Sequence, residues 1–117
     1  MTADHTEATS LPASLAGTVD HVVSTIARAC HPYQIIVFGS AANGRWTADS
    51  DLDLLVVMDS DLPRHRRAAP LHLLFDPYPC PMDILVYTPA ELARWRHVPG
   101  HIVAEVLRTG TVVYERA

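Results

Sequence analysis

The segment Asp51–Met58 constrains the fold more than any other. It reads Asp-Leu-Asp-Leu-Leu-Val-Val-Met, and after Asp53 every residue is apolar. A strand with one wet face alternates polar and apolar residues. A strand covered on both faces has no need to, and reads as an unbroken apolar run. This segment is therefore expected in a sheet with helices packed on it.

The rest of the chain can supply those helices and further strands. Leu11, Leu15, Val19, Val22, Val23, Ile26 and Cys30 recur in steps of three and four, one face of an amphipathic helix. Ser10 is its expected N-cap, Pro12 is tolerated in its first turn, and His31-Pro32 stops it. Gln34–Phe38 reads as a strand, ended by Gly39-Ser40. Residues 41–50 read as a short helical turn and a loop. Pro63 starts a helix over 64–75, weakened by Pro70. Residues 76–81 form a stiff, proline-rich connector, and Met82–Tyr87 is the third strand. Thr88-Pro89-Ala90-Glu91 has the form of a capping box with proline at the first helical position, so a helix runs from there to about Arg96. Pro99-Gly100 breaks it. Residues 101–108 form a last helix closed by Gly110, and 111–115 a fourth strand. The alternation predicts an α/β or α+β domain with about four strands. Residues 1–10 read as a loose tail and 11–117 as one domain, as a length of 117 residues suggests.

Composition narrows the function classes. With 49% hydrophobic and 19% charged residues the chain can bury a core. No apolar run approaches the ~20 residues of a membrane span. The first ten residues lack a basic start and an apolar stretch, so no secretory signal is expected. A net charge of −4 argues against binding duplex DNA. Two cysteines, Cys30 and Cys80, are too few for a disulfide framework. A cytoplasmic protein with packed thiols is expected. A small domain with a short sheet also has the means to form a homodimer through an edge or a helix.

The segment that carries chemistry is Gly39-Ser40, ten further residues, then Asp51-Leu52-Asp53. Asp51 and Asp53 are two apart on a strand, so they share a face with Cα atoms about 6–7 Å apart. Paired carboxylates supply hard oxygens that suit Mg2+ or Mn2+ bound with substrate phosphates. Asp83, early in the third strand, is the third carboxylate if the two strands are neighbours. It could then ligate metal and accept the proton of an attacking hydroxyl. Glycine lets backbone approach a phosphate closely, and Ser40 at the start of a helical turn offers N–H and hydroxyl donors.

At these residues the chain resembles the minimal nucleotidyltransferases of the DNA polymerase β superfamily. The matching positions are Phe38-Gly39-Ser40, Gly44, Ser50, Asp51-Leu52-Asp53, the apolar Leu54-Leu55-Val56, and Met82-Asp83-Ile84-Leu85-Val86. The segments Thr88–Leu92 and Gly110–Glu115 look like the same family's tail. The resemblance spans roughly residues 11–115. It implies a mixed sheet flanked by helices and transfer of AMP from ATP with Mg2+. By that analogy Asp51, Asp53 and Asp83 are catalytic and bind metal, while Gly39 and Ser40 hold the triphosphate. Stand-alone members of this size often pair with a helical HEPN-domain toxin. They act there as antitoxin, in some cases by adenylylating a tyrosine of the partner. The chain departs from the family pattern at Ala41 and Asn43, where basic residues are common. Arg45 is the available substitute. A fold that binds a toxin without transferring anything is the alternative reading. An aminoglycoside-type adenylyltransferase fits less well, because those enzymes generally add a helical domain.

Other residues have weaker claims. Arg64-His65-Arg66-Arg67 reads as a solvated helix face, with nucleotide steering as the sharper reading. Trp46 is either a core cap or a platform for a base. His97 and His101 have helical metal-pair spacing, but Pro99-Gly100 between them breaks the helix.

Overall fold

The computed structural model describes residues 11, 13–47 and 49–117. The tail over 1–10, the Ser10 cap and Pro12 lie outside the described residues. Helix α1 spans Ala13–Cys30. It ends where the backbone turns left-handed at His31 (φ 48°), immediately before Pro32. Strand β1 follows at Gln34–Phe38, and a short 3-10 turn covers Gly39–Ala41. Strand β2 is Leu52–Val57.

The helix expected over 64–75 is two pieces. A 3-10 turn spans Arg64–Arg66 and helix α2 only Ala68–His72. Pro70 explains the break without interrupting α2. It is the third residue of the helix, where the backbone N–H has no helical partner to lose. Strand β3 is Met82–Tyr87, helix α3 Pro89–Trp95, helix α4 Ile102–Thr109 and strand β4 Thr111–Glu115. The capping box forms in full. Glu91 N–H donates to Thr88 Oγ1 at 3.2 Å, and Thr88 N–H donates to Glu91 Oε1 at 3.0 Å.

The sheet order is β3-β2-β1-β4. β1 is antiparallel to both β2 and β4, and β2 is parallel to β3, so the sheet is mixed. Each strand sends alternate residues to opposite faces. On one face Ile35, Val37, Leu52, Leu54, Val56, Met82, Ile84 and Val86 join the apolar side of α1, with Leu71 and Phe75. Cys30, Cys80 and Trp46 pack against this layer half-buried, and both thiols are free. On the other face Ile36, Leu55, Val57 and Tyr87 meet Val103 and Val106 of α4, with Leu92 and Trp95 of α3 at the margin. The unbroken apolar run of β2 is explained by these two layers. Among the described residues no helix is long and apolar enough to cross a membrane.

The basic run does not form a uniformly solvated face. Arg67 is 9% exposed. Its guanidinium donates to Leu62 O at 2.8 Å, Val86 O at 3.3 Å and both Glu91 oxygens at 2.6 and 3.3 Å. It ties the residues before α2 to the edge of β3 and to the cap of α3. Arg64 lies over the Tyr87 ring, 4.9 Å from its centroid. Arg64 and Arg67 therefore serve packing, because Glu91 is the anion they meet. His101 caps α4, its Nδ1 accepting from Val103 N–H at 3.1 Å, and stacks on Trp95 at 4.5 Å.

Candidate active site

Strand pairing brings the candidate residues to one end of the sheet. Phe38, the last residue of β1, faces Asp53 in the antiparallel ladder. Asp53 faces Asp83 in the parallel one. Phe38, Asp53 and Asp83 thus form a row across three strands. Neighbouring strands lie about 4.8 Å apart, so the two carboxylates are on one face within a side chain's reach. Asp51 precedes β2 and is exposed, as is Asp83, whereas Asp53 is half-buried. The row lies on the face of Ile36 and Leu55, beyond the end of the apolar layer that α4 covers.

The glycine-serine turn closes against this row. Gly39 has φ +70°, a left-handed conformation that costs other residues strain. A Cβ built there would stand 2.3 Å from Asp53 Oδ2. Glycine is thus favoured at position 39 by backbone angle, and its missing side chain leaves the Asp53 carboxylate where it stands. The turn is held by Ala42 N–H and Asn43 N–H, both donating to Gly39 O at 3.1 Å. Ser40 is half-buried beside it, and its carbonyl accepts from Arg45 N–H at 3.1 Å. Arg45 is exposed on the following loop. Ser50 staples that loop, its Oγ accepting from Thr47 N–H at 3.0 Å and its own N–H donating to Thr47 O at 3.0 Å.

The electrostatics of the row are those of unanswered negative charge. Burial raises the pKa of Asp53 above the usual carboxylate range, and the charges of Asp83 and then Asp51 raise it further. Among the described residues no arginine or histidine pairs with any of the three carboxylates. Among the described residues no group of three or more acidic, histidine or cysteine side chains is placed to hold a metal ion by itself. The directly paired donors are Asp53 and Asp83. Their hard oxygens fit a divalent cation whose remaining ligands are water and substrate oxygens. Such an arrangement can place a polyphosphate between carboxylates and the backbone of the Gly39–Ala41 turn.

The model of the nucleotidyltransferase domain matches residues 22–108. The chain belongs to the nucleotidyltransferase domain family. The match includes every strand of this site and the turn after β1. No curated protein matches the chain. Its fold is similar to the crystal structure of a Sulfolobus solfataricus protein assigned as a nucleotidyltransferase. The TM-score is 0.64 at 17% identity, over 99% of this chain and 94% of that one. As a nucleotidyltransferase-family domain it has the general capacity for nucleotidyl transfer.

Two features of this nucleotidyltransferase are not visible from motif spacing. Position 41 is fully buried, so Ala41 packs into the core beneath the turn and a basic side chain has no room to lie there. Trp46 likewise packs, half-buried, on the α1-side core. Positions 43 and 45 are exposed, and Arg45 brings a cation to this loop at one of them.

Proposed function

We propose that this nucleotidyltransferase moves AMP from ATP onto a hydroxyl group, that of a tyrosine on a HEPN-type helical toxin, and so serves as the antitoxin. The observation that carries the reading is the pairing of Asp53 with Asp83, beside a glycine with no room for a side chain. Three like charges gathered without a protein cation destabilise a fold unless a ligand answers them.

In this reading Asp51, Asp53 and Asp83 hold Mg2+, with Mn2+ the alternative hard ion. Bound there, the metal supplies charge neutralisation for the transferring phosphoryl group. Gly39 and Ser40 offer close backbone approach and a hydroxyl donor to the triphosphate, and Arg45 adds positive charge at its rim. Ser50 contributes by holding the 47–50 loop. Asp83, the most accessible of the paired carboxylates, accepts the proton of the incoming hydroxyl. The acceptor oxygen attacks the α-phosphorus, and the bond to pyrophosphate breaks.

The buried Ala41 and neutral Asn43 favour a second reading, a weak or inactive domain that neutralises its partner by contact. A missing phosphate-facing cation costs about 1.5–3 kcal/mol of charge-assisted hydrogen bonding. Incubation with α-labelled ATP, Mg2+ and the product of the neighbouring gene separates the two. Label on a partner tyrosine that disappears with Asp51→Asn plus Asp53→Asn supports the enzyme. Neutralisation with no label supports the binder.

A further inference from the structure

The connector over 76–81 brings a second reactive pair to the same end of the sheet. Leu52 N–H donates to Pro81 O at 2.9 Å, which pins the connector beside Asp51. Tyr78 stands on it, 45% exposed. Its ring is edge-on to Phe75, with centroids 6.3 Å apart, and stacked with His72 at 5.8 Å. Its hydroxyl lies 2.5 Å from His72 Nδ1. The phenol is therefore accessible, fixed in direction by two rings, and already in contact with an imidazole nitrogen able to take its proton. Burial, then Cys80, then Asp51 push the phenol's pKa up, so the hydroxyl needs such a base before it can act as a nucleophile.

The other tyrosines do not share this setting. Tyr87 is buried. Tyr33 donates to Asp59 Oδ2 at 3.0 Å, at the opposite end of the sheet. Tyr114 pairs with Ile35 at that same far end.

We propose that Tyr78 is itself a nucleotidyl acceptor, so that the protein adenylylates its own chain at the end of the sheet that carries the acidic row. The proposal rests on the transfer activity argued above. In the step, Tyr78 Oη attacks the α-phosphorus of ATP and forms the new P–O bond. The bond between the α-phosphorus and the bridging oxygen breaks, and pyrophosphate leaves with its electron pair. The phenolic proton passes to His72 Nδ1. The product carries a bulky, negatively charged AMP group next to Asp51, where it stands in the way of the next nucleotide. Self-modification would thus silence the site.

The test uses the full chain with ATP and Mg2+, followed by intact-mass and peptide mass spectrometry. Calorimetric ATP binding and urea unfolding are run on every variant. The expected result is one AMP adduct on Tyr78, labelled by α-labelled but not γ-labelled ATP. It is absent from Tyr78→Phe, which folds and binds ATP as the parent does. It forms about a hundredfold more slowly in His72→Gln. An adduct that persists in Tyr78→Phe or sits on another residue overturns the proposal. A chain that binds ATP and labels a partner hydroxyl but leaves Tyr78 bare overturns it and spares the transfer activity. A chain that neither binds ATP nor labels anything overturns both.

Discussion

Gly39→Ala separates the stability of this domain from the placement of its central carboxylate. Two costs can be read from the structure. The first is the backbone: at φ +70° an alanine pays about 1–2 kcal/mol that glycine does not. The second is the overlap of the new Cβ with Asp53, whose Oδ2 would be 2.3 Å away, Cγ 3.2 Å and Cβ 3.5 Å. The carboxylate oxygens are the free end of a short side chain and can swing aside, so the second cost falls on position more than on stability. Gly44→Ala is the internal control. Gly44 has φ +79°, but a Cβ there meets nothing within 4 Å. Both variants should lose about 1–2 kcal/mol in urea unfolding, and only Gly39→Ala should displace Asp53. A carboxyl-carbon NMR titration reads that displacement. The raised Asp53 pKa should fall toward the ordinary range in Gly39→Ala and stay in place in Gly44→Ala. Nucleotidyl transfer should drop far more in the first than in the second. Equal titration curves and equal transfer rates in the two variants would refute the claim that glycine is there to seat the carboxylate.

Other outcomes follow from the same electrostatics. Asp53 has a raised pKa in the fold, so its charged form is the disfavoured one, and stability falls as pH rises through the folded value. Asp53→Asn should therefore stabilise the domain by about 0.5–2 kcal/mol at pH 7, as removal of functional strain commonly does. The gain should vanish near pH 3 in thermal melts, and transfer should be lost at every pH. Glu91 has the opposite sign. The hydrogen bond from Arg67 lowers its pKa from 4.5 to about 2, against the cost of burial. Its contribution is complete above pH 4.5 and disappears as pH falls through about 2. Glu91→Gln should cost about 1.5–3 kcal/mol at pH 7, the range for hydrogen bonds to charged groups. Urea titrations of the two proteins should converge toward pH 2; a constant gap would place the loss elsewhere. Arg67→Met in the Glu91→Gln background should recover part of the loss, because the buried guanidinium is then no longer left unpaired.

The parts of this fold that were readable in advance are those decided locally. The limits of β1 and β3, the capping box at Thr88, the stop before Pro32 and Gly110 after α4 each depend on residues within one or two turns. Their side chains or φ angles act on the nearest backbone. Pro70 signals a weakened helix after Pro63, but where it breaks is not local: Arg67, at the junction of the two pieces, turns inward to Glu91, 24 residues away. The strand order was not readable either. Whether β2 and β3 run parallel depends on how the intervening residues 58–81 cross the sheet, and no local pattern encodes that. The candidate site falls between these cases. Gly39-Ser40 and the Asp51/Asp53 pair announce themselves by spacing, whereas their meeting with Asp83 depends on sheet pairing. The buried position of Ala41 had no signal, since alanine is equally at home outside.

The row of Phe38, Asp53 and Asp83 also bears on how the chain avoids folding wrongly. Shift β3 by one residue along β2, and Asp83 would rotate into the layer where Ile84 and Val86 lie under α1. A carboxylate stranded in that dry layer is costly enough to discard the mispaired sheet. The same acids that ask for a ligand in the finished molecule thus proofread its assembly. Evolution toward a merely adhesive domain could not swap them for apolar residues without loosening that check.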